Sequence, residues 1–214
     1  MNERSFSGFA AQCHPSIQFP DIKWFIMRQP EIDMSEQIFA ATERLMAKDG
    51  LHNLSMHKIA KEAKISAGTI YIYFKSKEEL LEQFALRVFT LFQNSLEKGV
   101  NEQQPFFEQY RCMWWNIWRY LLSNPMMALN MHQYLSLPGF CEIHKRLESK
   151  NRWHLFCQQA QNAGVLCDLP PKVLFALSLK SAINLTYNQI VFKEELSEQI
   201  LETAIERTWR SIQK

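Results

Sequence analysis

Glycine and proline are scarce in this 214-residue chain, at 6 and 8 copies. That scarcity excludes collagen-like repeats and low-complexity disorder. The five cysteines are Cys13, Cys112, Cys141, Cys157 and Cys167. They are odd in number and form no C-x-x-C pair, so free thiols in a reducing cytoplasm are expected. No run of 18 uninterrupted apolar residues occurs; the most apolar stretch, 112–122, is broken by Asn116 and Arg119 and is too short to span a bilayer. The N-terminus lacks the basic-then-apolar layout of a signal peptide, since the apolar patch at 22–27 is short and contains Lys23. The signatures G-x-S-x-G, H-E-x-x-H, P-loop and Rossmann are missing. His132 and His144, with Cys141 nearby, fit no familiar metal spacing. The expectation is a non-enzyme with no cofactor and no metal. Net charge is only +2, so local rather than global charge must identify partners.

What is present is helical patterning. Residues 1–30 form a poorly patterned tail with breakers at Pro15, Pro20 and Pro30, expected to be flexible. Met27 stands just before the first helical pattern, and a native start there is one reading of the tail. Asp33 and Glu36 make a D-x-x-E capping pattern that opens a helix to about Lys48. Ser55 caps a short helix, 56–63, whose Met56, Ile59, Ala60 and Ala63 share one face. Lys64 and Ile65 form a turn. Ser66 then caps a second short helix, 67–74. Ser76 and Glu79 form an S-x-x-E box at the start of a long helix to about Lys98. Five more helices are expected near 104–123, 125–135, 140–163, 171–189 and 195–212. The fold class is therefore all-α, with about nine helices and no strands.

Two short helices joined by a tight turn, on a longer preceding helix, describe a helix-turn-helix unit. Charge concentrates there. Between His57 and Lys77 stand Lys58, Lys61, Lys64, Lys75 and Lys77 against the single acid Glu62. Such a patch releases counterions from a duplex; alone, it also describes an ordinary solvated face.

Residues 54–81 read LSMHKIAKEAKISAGTIYIYFKSKEELL. This segment resembles the N-terminal module of TetR-family transcriptional regulators. The resemblance rests on Ser55, Ile59-Ala60, Ala63, Ile65-Ser66, Gly68-Thr69-Ile70-Tyr71, Tyr73-Phe74, Ser76-Lys77 and Leu80-Leu81, with looser support from Phe39, Gly50 and the long helical remainder. It implies a ligand-responsive repressor that binds a palindromic DNA operator as a homodimer. The implied organisation is a tail (1–30), a three-helix DNA-binding domain (31–77) and a helical effector-binding and dimerisation domain (78–214). Two alternatives stay open: a DNA-binding activator without a small ligand, and an apolar-ligand carrier that never meets DNA.

Candidate DNA contacts follow position by position. Ser55 opens a helix whose terminal N–H groups suit a phosphate. His57 and Lys58 lie off the buried face, and the resemblance implies that His57 reaches a base edge. Ala67, Gly68 and Thr69 occupy the first turn of the second helix, which meets the major groove in this docking mode. Tyr71 sits at the boundary between core and surface. Tyr73 projects outward toward a phosphate. Lys77 opposes the dipole of its own helix, which favours a binding role. Ile70 and Phe74 are expected to seal the core. Two positions depart from the family pattern: Lys64 replaces a glycine, and Ile72 replaces an aromatic or polar residue, so Ile72 is excluded from the main contacts.

The last two long helices are the candidate dimer interface, through Leu174, Leu177, Ser178, Ser181, Ala182, Leu185 and Tyr187 on one and Ile200, Leu201, Ala204, Ile205, Thr208 and Trp209 on the other. Between module and interface lies an aromatic and Met-rich belt. Tyr110, Trp114 and Trp118 recur every four residues on one helix face. Such stripes usually form core, yet Met adapts to varied ligands, and the resemblance implies a small-molecule site among these helices. Tyr110, Trp114, Trp118, Met127, Met131 and Phe156 are the candidate pocket residues, with Asn116, Arg119 or His132 as polar anchors.

Overall fold

The computed structural model describes residues 33–148 and 151–214. The tail reading, including Cys13 and Met27, lies outside the described residues. Among the described residues eleven α-helices follow one another: α1 (Met34–Asp49), α2 (Met56–Glu62), α3 (Ala67–Tyr73), α4 (Lys77–Glu97), α5 (Phe106–Ser123), α6 (Pro125–Tyr134), α7 (Phe140–Glu148), α8 (Arg152–Asn162), α9 (Pro171–Leu177), α10 (Lys180–Phe192) and α11 (Glu198–Arg210). No strand occurs among the described residues; a lone bridge joins Leu166 to Gln213.

Two of the nine expected helices are each broken in two. The 140–163 segment is interrupted before α8, where the Asn151 side chain accepts from the His154 N–H at 2.8 Å and caps a fresh helix. The 171–189 segment breaks at Ser178, whose hydroxyl donates to the Leu174 carbonyl at 2.5 Å. That back-bond bends helices, and Ser178 leaves the helical region at φ −130°, ψ −89°.

The N-terminal caps form as their side chains dictate. Ser55 accepts from Lys58 N–H, Ser66 from Thr69 N–H and Ser76 from Glu79 N–H. Glu79 reaches back to the Lys75 N–H at 2.7 Å, one residue earlier than a standard capping box.

Ile38, Ala41 and Leu45 of α1 meet Ile59 and Ala60 of α2 and Ile70 of α3 in one buried cluster. Phe74 closes it, with its ring 5.4 Å from Phe39; each such side chain contributes about 1.5–3 kcal/mol. Phe84 and Tyr134 extend the same core, ring to ring at 6.1 Å, into the helices behind.

Candidate nucleic-acid interface and effector cavity

The α2–α3 unit leaves an outer face open to solvent. His57, Lys58, Gly68, Tyr71 and Tyr73 are exposed, and Ser55, Ala67, Thr69 and Lys77 half-buried. All nine expected contact residues therefore reach the surface of one module, while Ile70 and Phe74 are buried beneath them. Three are partly engaged, Ser55 through its cap bond from the Lys58 N–H at 3.3 Å. The Thr69 hydroxyl shares a hydrogen bond with Ser66 Oγ at 2.8 Å, and Lys58 Nζ donates to the Asn53 carbonyl at 3.0 Å.

Electrostatics sharpen the patch. Glu62, its one acid, accepts from Arg44 Nε at 2.6 Å. That bond holds the Glu62 carboxyl below its ordinary range against a smaller opposing effect of desolvation. Lys61, Lys64, Lys75 and Lys77 pair with no carboxylate among the described residues. Their charge is available to an external anion. Lys64 sits in the left-handed region at φ +57°, where a side chain is strained relative to glycine.

Ile72, excluded from the main contacts on its residue type, stands on the same solvent-open helix as the expected contacts. Its side chain is 80% exposed, between Tyr71 at 47% and Tyr73 at 42%. Gly68 and Ile72 stand four residues apart on one helix face.

The expected pocket residues separate into two groups. Met127 and Met131 line a cavity of about 520 Å³, within the ~300–1,000 Å³ typical of small-molecule sites. Tyr110, Trp114, Trp118 and Phe156 do not line it and are core. Tyr110 OH shares a hydrogen bond with Thr208 Oγ1 at 2.7 Å, and Trp114 Nε1 donates to Ser181 Oγ at 2.8 Å. Trp118 stacks on Trp114 with ring centroids 5.6 Å apart. Phe156 stacks on Trp153 at 5.4 Å. With their polar tips satisfied, Tyr110 and Trp114 fasten α5 to α11 and α10, while Trp118 and the Phe156 ring of α8 pack in the same core. Of the anchors, His132 lines the cavity. Asn116 instead donates to the Leu96 and Lys98 carbonyls, and Arg119 lies over the Trp115 ring.

The cavity wall comes from α4, α6, α7, α8, α9 and α10. Phe89, Phe92 and Leu96 of α4, Phe140 of α7, Trp153 of α8 and Phe175 of α9 make it largely apolar. Two wall helices also run into the DNA-facing module. α4 carries Lys77 at one end and Leu96 at the other, about 30 Å along one helix. α6 grips α1 directly. Asn130 Nδ2 donates to the Glu43 carbonyl at 2.8 Å, Tyr134 OH to Glu43 Oε1 at 2.8 Å, and Gln133 Nε2 to the Met46 carbonyl at 3.0 Å. Gln133 Oε1 accepts from the Leu51 N–H at 2.7 Å.

Half of the expected dimer face is intrachain core. Leu174, Ser178, Ala182, Leu201, Ile205 and Trp209 are buried within the chain. Leu177 and Ile200 remain exposed, joined by Val191 and Phe192. Among the described residues no cluster of metal-ligating side chains occurs, and no helix is long and apolar enough to cross a membrane. Burial pushes the Cys157 thiol up to about 12, which leaves it protonated and inert.

Comparison with known proteins agrees with this architecture. Residues 38–84 match the family described as bacterial regulatory proteins, tetR family. Residues 105–213 match the Tetracyclin repressor-like C-terminal domain. An HTH-type transcriptional regulator of Haemophilus influenzae is 56% identical over 188 residues, covering 88% of this chain and all (100%) of its own. The crystal structure of a TetR-family transcriptional regulator from that organism superposes with a TM-score of 0.80 at 56% identity, over 85% of this chain and 100% of the other. A TetR-family protein of Vibrio parahaemolyticus gives 0.71 at 34% identity, over 85% and 100%. The chain thus belongs to the TetR family of helix-turn-helix transcriptional regulators.

Proposed function

We propose that this regulator is a ligand-responsive repressor that binds a palindromic operator as a homodimer. The observation that carries the DNA contact is the unpaired lysine surface around α2 and α3, with Glu62 neutralised by Arg44. The first turn of α3 enters the major groove. Ala67 and the Thr69 methyl meet base edges, and the exposed Ile72 adds an apolar surface suited to thymine methyls. Tyr73 and Lys77 hold phosphates, which fix register without reading sequence. His57, Lys58, Ser55 and Tyr71 complete the contact.

Two copies are needed, since one module covers only a half-site. Leu177, Val191, Phe192 and Ile200, exposed on α9, α10 and α11, would close against the same residues of a second copy. A twofold pair would then place its reading heads about one DNA turn, roughly 34 Å, apart.

Regulation follows from the shared helices. α4 and α6 both wall the cavity and hold the reading head. A ligand that favours one arrangement of these helices shifts the spacing of the two heads, by no more than its differential affinity for the two states. Selection of bound duplexes from a random pool with the full chain tests the reading. An inverted repeat with half-sites one turn apart is expected. Enrichment of no sequence, or of an isolated half-site, overturns it.

A further inference from the structure

The cavity wall is electrically one-sided. It carries Lys172 and Lys180, together with His132, His144 and His154, and it carries no aspartate or glutamate. Neither lysine pairs with a carboxylate among the described residues. The polarity is also divided between walls. α4 presents Val88, Phe89, Phe92 and Leu96 with Gln93 as its one polar group, whereas α8, α9 and α10 present His154, Lys172, Lys180 and Asn184.

Two atoms of this wall are buried without a hydrogen-bond partner among the described residues: Gln93 Oε1 and His154 Nδ1. A buried polar atom left unpaired is costly, so a ligand that supplies the missing partner gains affinity from it. The His154 Nδ1 position can donate in the appropriate tautomer, and a half-turn of the Gln93 amide offers its N–H₂ instead of its oxygen. His154, on the same wall as Lys172 and Lys180, then becomes a donor to an acceptor-rich head group.

We propose that the cavity binds a single-chain amphipathic anion, a long-chain carboxylate, with its hydrocarbon against the α4 face and its carboxylate toward Lys172, Lys180 and His154. This rests on the reading of the cavity as the effector site. A cationic amphiphile of the same length meets only like charge or neutral groups, and no carboxylate offsets its desolvation. An alcohol of the same length keeps the apolar contacts and loses the charge-assisted hydrogen bonds.

Calorimetric titration of the full chain with dodecanoate, dodecanol and dodecyltrimethylammonium, each below its aggregation concentration, tests this. Dodecanoate is expected to bind at least about tenfold more tightly than either competitor. The Lys172→Met, Lys180→Met double variant, altered at two exposed positions, should lose that preference and bind dodecanol as before. Equal binding of all three amphiphiles by the wild type, tighter binding of the cation, or a preference that survives in the double variant overturns the anion assignment and leaves the effector cavity standing. Binding of none of the three overturns both.

Discussion

Replacing Gln133 with leucine tests whether the grip of α6 on the reading head transmits the ligand signal. Gln133 does not line the cavity, so the substitution leaves the ligand's own contacts in place. The side chain donates to the Met46 carbonyl at 3.0 Å and to Asn130 Oδ1 at 3.1 Å, and accepts from the Leu51 N–H at 2.7 Å. The Met46 carbonyl keeps a second donor, the Gly50 N–H at 3.0 Å. The Leu51 N–H, on a buried residue, is left without its acceptor. An orphaned buried donor costs about 1–3 kcal/mol, and the lost Met46 and Asn130 bonds about 0.5–1.5 each. Gln133 is only half-buried, so water recovers part of this, and a net loss of about 2 kcal/mol is expected by urea denaturation. The functional readout is the ratio of operator affinities with and without a cavity ligand, which measures a coupling free energy. In Gln133→Leu that ratio should fall toward unity, while ligand affinity changes by less than about twofold. Lost stability with an unchanged ratio would refute the reasoning: the clasp would then be structural, with no part in transmission.

Lys64→Gly relieves the left-handed turn at φ +57°. It should raise the unfolding free energy by about 1 kcal/mol and weaken DNA binding through the lost charge; a stability change of opposite sign would contradict the turn argument. The Arg111 guanidinium bonds Glu202, and with help from the Trp115 N–H it holds that carboxyl below its ordinary range although burial opposes it. A depressed folded value contributes stability above the unfolded carboxylate range and loses it as pH falls through the folded value. The stability gap between wild type and Glu202→Gln should therefore be widest above about pH 5 and close on acidification; a gap that grows in acid would be inconsistent. Ile200 is 53% exposed on α11. In the dimer, Ile200→Asp buries an unpaired charge and should weaken association by about 3 kcal/mol, roughly a hundredfold, in sedimentation equilibrium, whereas unaltered association would exclude this face.

The module that faces DNA was legible because its determinants are local. Ser55, Ser66 and Ser76 cap helices with their own hydroxyls, and Ile70 and Phe74 follow helical spacing into the core. The breaks at Asn151 and Ser178 were hidden. Apolar spacing continues across both, and whether an asparagine caps or a serine back-bonds depends on the turn it finds itself in. The cavity is hidden from local spacing for a different reason. Tyr110 and Trp114 find their partners at Thr208 and Ser181, and nothing in the local spacing reports a hydroxyl 98 or 67 residues away. A heavy aromatic stripe on α5 thus suggests a binding wall in sequence and forms a helix seam in the fold. The cavity wall gathers short contributions from six helices, each unremarkable on its own. Met127, Met131 and His132 stood out because they cluster on α6.

The dependence of operator affinity on salt tests the central claim most directly, for wild type and Lys77→Ala side by side. If the surface from His57 to Lys77 sits in the groove, log affinity falls steeply and linearly with log salt, and Lys77→Ala flattens the slope by about 2 per dimer. Binding that ignores salt, or a slope that the substitution leaves unchanged, would contradict the account.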